Sequence, residues 1–249
     1  MIEQLLRFTE KSADIVCGLR RYPQPSEGHR PRIIAHRGAW DPSDCLENTL
    51  PAFEKAQALG ADGIEFDVHF TRDGVPVVHH DETLTRIFKH PGALKSMTMQ
   101  ELKSVTEKIP TLMDVLALKG LHFMIEIKVP MSMAQIDRLV TDLKGLNPVS
   151  DYHLLVIDPS LVRVHPQLPS FAWLLVGELN LKSKISLSIE KGYAGVAGHY
   201  LGLSAKSIGL LHKHGQKAGA GFIPNKNLFH REWARGTDFV FTNSTYHLF

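Results

Sequence analysis

Two histidines, four carboxylates and two cationic side chains recur at the ends of short apolar runs in the first half of this 249-residue chain. His36 and Arg37 close RIIAHR. Glu65 and Asp67 stand two apart in GIEFDV, His80 and Asp81 close VPVVHHD, and Glu126 and Lys128 stand two apart in HFMIEIK. Side chains at i and i+2 of a strand project from the same face, so each spaced pair points together. Ionised carboxylates gathered in one partly desolvated pocket repel one another and shift upward in pKa unless a cation is present. A hard divalent cation with oxygen ligands on Glu65, Asp67 and Glu126 resolves that conflict, which favours Mg2+ or Ca2+, with Mn2+ also compatible. His36 and His80 then read as general acid and general base, since imidazole titrates near neutral pH. Arg37 and Lys128 supply fixed positive charge for phosphoryl oxygens. These are the parts of a metal-assisted site that cleaves a phosphodiester. The chain has no Gly-x-Ser-x-Gly elbow, which argues against a serine hydrolase.

The bulk composition narrows the classes. Hydrophobic content of 43% and charged content of 22% are ordinary for a globular domain. A net charge of +2 is too small to argue for a nucleic-acid partner or an anionic membrane. Cys17 and Cys45 form no metal-ligand spacing and read as a pair of intracellular thiols. The N-terminus has Glu3 and Glu10 where a secretory signal carries a basic region, and no stretch approaches the roughly 20 apolar residues of a membrane span. The expected location is cytoplasmic. Oligomeric state is left open.

The elements that must position these residues follow from periodicity. Residues 1–21 form an amphipathic helical pattern with Ile2, Leu5, Leu6, Ile15 and Leu19 on its apolar side, expected to pack outside or beneath the main domain. A polar Pro- and Gly-bearing connector follows, so residues 1–31 read as an extension and 32–249 as one domain. From residue 32, strand-like runs alternate with helical stretches: RIIAH, GIEFDV, HFMIEIK, HLLVID, FAWLLV, GYAGVAG, AGAGFI and DFVFTN, separated by segments such as NTLPAFEKAQALG and MAQIDRLVTDLKG. Near-continuous apolar strands alternating with helices imply a parallel sheet covered by helices, and eight such runs fit a TIM (β/α)8 barrel. Catalytic residues of that fold sit at the strands' C-terminal ends, where His36, Asp67, Glu126 and Lys128 fall. The competing open doubly wound sheet lacks a phosphate-binding glycine fingerprint after its first strand.

VPVVHHD follows GIEFDVHF after only TRDG, too short a link for a parallel crossover, so it is expected to return antiparallel as a hairpin inserted after the second strand. A two-residue Asp73-Gly74 turn places His80 opposite Asp67, and a four-residue loop places it opposite Glu65. His79 is expected on the opposite face from His80. His199 follows an apolar strand and could reach the mouth, though it reads first as a polar residue opening a loop, and Phe171 and Trp173 read as core.

HRG, ENTLPAFEKAQALGADGIEFDV, TRDGVPVVHHDETLTR, IPTL and IEIK together resemble the glycerophosphodiester phosphodiesterases, most specifically over residues 32–128. The resemblance implies a TIM barrel with a small hairpin insertion and a divalent metal. It also implies cleavage of small-molecule deacylated phospholipids to glycerol 3-phosphate and an alcohol. It puts acid–base roles on His36 and His80, metal ligation on Glu65, Asp67 and Glu126, and phosphate contacts on Arg37 and Lys128. Glu47 and Asn48 match the family's Glu-Asn-Thr, with Glu47 expected to orient the site and Asn48 to cap the following helix. The C-terminal third departs from the pattern. Phe222-Ile223-Pro224-Asn225 stands where bacterial members carry Trp-Thr-Val-Asn, keeping an aromatic near the substrate, and Thr242-Asn243 stands where Thr-Asp is usual. A lysophospholipase D-like enzyme and a non-catalytic phosphate-binding scaffold are the alternatives.

Overall fold

The computed structural model describes residues 20–177, 181–245 and 248. The expected helix over residues 1–21 falls almost wholly outside them. Eight strands run parallel: β1 (Arg32–His36), β2 (Gly63–Phe70), β4 (His122–Ile127), β5 (Tyr152–Val156), β6 (Trp173–Gly177), β7 (Gly195–His199), β8 (Lys217–Gly221) and β9 (Phe239–Thr242). Each pairs with its neighbours, and β1 pairs with both β9 and β2, so the sheet closes into a TIM barrel. β3 (Pro76–Val78) extends β2 as an antiparallel hairpin arm. Helices cover the outside, among them Leu50–Ala58, Met133–Asp142, Leu181–Lys191, Ala205–Lys213 and Lys226–Ala234. Among the described residues, no helix is long and apolar enough to cross a membrane.

Alternation along the strands sorts side chains between two cores. On β2, Ile64, Phe66 and Val68 face the helix layer, where Phe66 packs against Phe53 of helix Leu50–Ala58 and Phe123 of β4 at ring distances of 5.8 and 6.3 Å. Each such fully buried side chain contributes about 1.5–3 kcal/mol. Glu65 and Asp67, on the other face, enter the barrel. Below them the interior is filled by Ile34, Met124, Leu155, Leu174, Phe239 and Phe241. At the N-terminal end of the barrel lie Arg32, His122 and His153, with Arg32 NH1 2.8 Å from His122 Nδ1 and His122 Nε2 2.8 Å from His153 Nδ1.

The hairpin register differs from both expectations. Thr71 N–H donates to Val75 O at 3.0 Å and Gly74, at φ +77°, donates to Thr71 O at 2.9 Å, which makes a three-residue loop. The odd count pairs Val68 with Val78 and brings His79 N–H to Asp67 O at 2.9 Å, so His79 takes the place expected of His80. β3 ends at Val78, which frees the chain from strand alternation and lets His80 turn toward the barrel mouth.

Two further expectations need correction. Asn48 does not cap helix Leu50–Ala58: Thr49 occupies the cap position without a side-chain cap bond, and Asn48 binds Asp67 instead. Phe171 is exposed, whereas Trp173 is fully buried as expected. The connector touches the helix Lys226–Ala234 at Arg20, Tyr22 and Gly28. Tyr22 N–H donates to Asn227 Oδ1 at 2.7 Å and Trp233 Nε1–H to Gly28 O at 3.4 Å, both on helix Lys226–Ala234.

Candidate active site

Strand register assembles the carboxylates. Glu65 lies beside His36 across the β1–β2 pair, and Asp67 lies beside Glu126 across β2–β4. Neighbours in parallel strands at one level share a face, so all four side chains converge on the C-terminal mouth. Ligand oxygens of Glu65, Asp67 and Glu126 lie within 4.8 Å of one another, and all three residues are buried. Glu65 Oε1 is buried without a hydrogen-bond partner, and Asp67 Oδ1 has the Lys128 ammonium at 3.3 Å. An orphaned carboxylate oxygen beside two further buried carboxylates fits a divalent cation held by hard oxygen ligands.

Electrostatics within the trio is uneven. Burial pushes the Glu65 carboxyl well above the usual range, and neighbouring Asp67 and Glu126 add repulsion. Burial and Asp67 raise Glu126 as well. Burial acts on Asp67 in the same direction, but Lys128, Arg37 and the Asn48 amide outweigh it and hold Asp67 low. The cations that do this are close: Lys128 Nζ lies 2.7 Å from Glu126 Oε1 and 3.3 Å from Asp67 Oδ1, and Arg37 Nε lies 3.4 Å from Asp67 Oδ2. Burial opposes the Lys128 ammonium, yet Glu126 and Asp67 raise its pKa.

The loop after β1 is built for close approach. Gly38, at φ +84°, sits where a Cβ would meet Ala52 at 2.8 Å, so the HRG glycine lets this loop lie against helix Leu50–Ala58. Arg37 and Asn48 both have φ of +58° and Phe222 has +62°, conformations that cost an L-residue about 1–2 kcal/mol. Strain of this kind persists where the surroundings fix it, and here it sits around the mouth. Asn48 Nδ2–H donates to Asp67 Oδ2 at 2.8 Å. Glu47 accepts from Arg37 NH1 at 3.0 Å and from Arg86 NH2 at 2.6 Å.

The histidines have different settings. His36 Nε2 lies 3.7 Å from Glu65 Oε2, and its ring meets the Phe222 edge at 5.9 Å. Burial and the Arg37 cation hold His36 down to about 4. His80 Nδ1 lies 2.7 Å from Asp81 Oδ1, and its charge is felt at both Asp67 and His36. Burial would raise Asp81, but bonds from Arg86 and His80 hold it to about 2.

His36, Arg37, Glu47, Asn48, Glu65, Asp67, His80, Glu126, Lys128 and Phe222 therefore gather at one end of the barrel. His199, the last residue of β7, joins them, its ring stacked on Phe222 at 5.6 Å. Sequence reasoning gave no role to Arg86, which bridges Glu47 and Asp81, or to Asn243, whose Oδ1 lies 2.6 Å from His36 Nδ1. Barrel closure was the available signal for Asn243, because the last strand of a closed barrel lies beside the first.

Comparison with known proteins agrees with the barrel fold. The glycerophosphoryl diester phosphodiesterase family model matches residues 36–154. A Bacillus subtilis glycerophosphodiester phosphodiesterase is 30% identical over 243 residues, 84% of this chain and 82% of that protein. One from Caldanaerobacter subterraneus subsp. tengcongensis is 44% identical over 99 residues, 35% of this chain and 40% of that protein. The crystal structure of a Thermotoga maritima glycerophosphodiester phosphodiesterase superposes with a TM-score of 0.72 at 25% identity, covering 88% of this chain and 97% of that one. The fold and the family match define a phosphoric diester hydrolase. The chain belongs to the glycerophosphodiester phosphodiesterase family.

Proposed function

We propose that this chain hydrolyses glycerophosphodiesters to glycerol 3-phosphate and an alcohol, using His36 and His80 as its acid–base pair. The observation that carries the reading is the meeting of both imidazoles with the buried Glu65–Asp67–Glu126 trio, flanked by Arg37 and Lys128. Glu65, Asp67 and Glu126 would hold one divalent ion, Mg2+ or Ca2+, which when bound supplies Lewis acidity to the phosphoryl oxygens. Arg37 and Lys128 then turn from their carboxylate partners toward the phosphoryl group and stabilise the negative charge that grows there. One histidine removes a proton from the attacking oxygen as it bonds to phosphorus; that oxygen is either water, or the glycerol 2-hydroxyl, whose cyclic phosphate a water then opens to glycerol 3-phosphate. The other gives a proton to the departing alcohol oxygen as the P–O bond breaks. Glu47 and Asn48 keep Arg37 and Asp67 in place through the bonds already described.

A release assay tests the reading, with glycerophosphocholine, glycerophosphoethanolamine and lysophosphatidylcholine as substrates, each with added Mg2+ or Ca2+ and again with EDTA. Release of choline or ethanolamine that EDTA abolishes is the expected result. No turnover of any diester with either metal sinks the proposal and leaves a phosphate-binding scaffold. A second reading keeps the chemistry and enlarges the leaving group. Loops after β5, β7 and β8 expose Ile157, Leu201 and Phe222 on the mouth side, which suits an apolar chain. Preference for lysophosphatidylcholine in the same assay selects it.

A further inference from the structure

We propose that Asn243 is a positioning residue for His36, fixing the imidazole in the tautomer that carries its proton on Nδ1 and turns the Nε2 lone pair to the carboxylate trio. This rests on the reading of His36 as one of the two acid–base groups. The argument is geometric. β9 pairs with β1 so that Thr242 lies beside Ala35, and the next residue along, Asn243, arrives beside His36. Its Oδ1 lies 2.6 Å from His36 Nδ1. An amide oxygen only accepts, so the imidazole must present an N–H at Nδ1. Nε2 is then the unprotonated nitrogen. It stands 3.7 Å from Glu65 Oε2, too far for a hydrogen bond, and its lone pair is uncommitted at the edge of the pocket. The Phe222 edge at 5.9 Å and 69° packs against the same ring and restricts its rotation.

The second histidine has a charged counterpart at the same ring position. His80 Nδ1 meets the Asp81 carboxylate at 2.7 Å, and Arg86 Nε holds that carboxylate at 2.6 Å while its other nitrogens grip Glu47 at 2.6 and 3.0 Å. Both partners accept from Nδ1 and so orient the two rings alike, His36 through an amide and His80 through a carboxylate held by Arg86.

The test uses the full-length enzyme with 15N-labelled histidine. Long-range 1H–15N spectra report which ring nitrogen of His36 carries the proton. Turnover of glycerophosphocholine with Mg2+ is followed in parallel for wild type, Asn243→Ala, Asn243→Asp and His36→Ala. Wild type shows a pyrrole-like Nδ1 and a pyridine-like Nε2. Asn243→Ala shifts His36 toward the Nε2–H form and lowers kcat about 10- to 100-fold with KM within about twofold. Asn243→Asp restores both tautomer and most of kcat. Asn243 is exposed, so the fold survives the change. A wild-type Nε2–H, or an Asn243→Ala enzyme with unchanged tautomer and kcat, overturns the proposal. If His36→Ala is then inactive, the acid–base reading stands alone; if it too is fully active, that reading falls with it.

Discussion

The two ends of the barrel bury the same kinds of side chain and resolve the cost differently. At the floor, burial holds His122 down to about 4 and His153 to about 3, and Phe239 covers both rings at 5.9 and 5.3 Å. The floor keeps its imidazoles neutral, in contact with Arg32, with the Ser150 carbonyl and with each other, and leaves His153 Nε2 buried without a partner. At the mouth, burial is no less severe, yet Asp67 is held ionised by Lys128 and Arg37 while Glu65 beside it is driven upward. The mouth retains a conflict that a cation relieves. Buried histidine by itself therefore says little. Opposed shifts within one cluster of like groups mark a working site.

The largest expected effect separates the ends by activity. His80→Ala lowers kcat by about 10²- to 10⁴-fold, as loss of a general acid or base does, whereas His153→Phe keeps kcat near wild type. Steady-state kinetics with saturating Mg2+ checks this, and an equal loss in both variants would erase the distinction.

Next comes the metal. At a hundredfold excess over Kd, a bound ion adds about 2.7 kcal/mol to wild-type stability, and Glu65→Gln loses that gain. The sign reverses in EDTA. Because its folded pKa is raised, Glu65 holds a proton in the native state that the unfolded chain releases above about 4.5, so it erodes metal-free stability as pH rises from there. Urea unfolding in EDTA at pH 5 and 7.5 then shows Glu65→Gln gaining on wild type at the higher pH. A variant that merely tracks wild type argues against a buried, conflicted carboxylate.

The floor supplies a slope of the opposite sign. Histidines with lowered folded pKa contribute stability that is fully present above about 6.5 and is lost as pH falls toward 4, by up to about 1.4 kcal/mol per pH unit for each proton. Relative to wild type, His153→Phe is expected to lose less stability between pH 6.5 and 5 in urea titrations. Unchanged slopes place the acid sensitivity elsewhere.

The smallest effect concerns the hairpin that delivers His80. Gly74→Ala meets no atom within 4 Å, so its penalty is the φ of +77° alone, about 1 kcal/mol, or roughly 2–4 °C in Tm. kcat stays unchanged if the loop acts only through register.

Much of this was legible in the chain. The apolar strand runs placed all eight barrel strands to within a few residues, because strands buried on both faces have few alternatives. The i, i+2 spacing brought Glu65, Asp67 and Glu126 together, since strand alternation is rigid. Hairpin register was not legible: two-, three- and four-residue loops are all compatible with TRDG, and only the Gly74 backbone bond selects the odd one. Asn48 misled because the residue type that caps helices also binds carboxylates. Arg86 and Asn243 depend on contacts across 39 and 207 residues, which no local pattern encodes.

Closure of the sheet also bears on how this protein behaves at high concentration. With β1 joined to both β9 and β2, the eight parallel strands leave no open ladder to recruit a strand from another molecule. Among the described residues the short β3 arm is the remaining outer side, and it is covered: Val78 N–H donates to Pro110 O at 2.9 Å and Val77 bridges Thr111. Sheet-type aggregation therefore has to wait for the barrel to open, so precipitation on heating follows global unfolding and does not precede it.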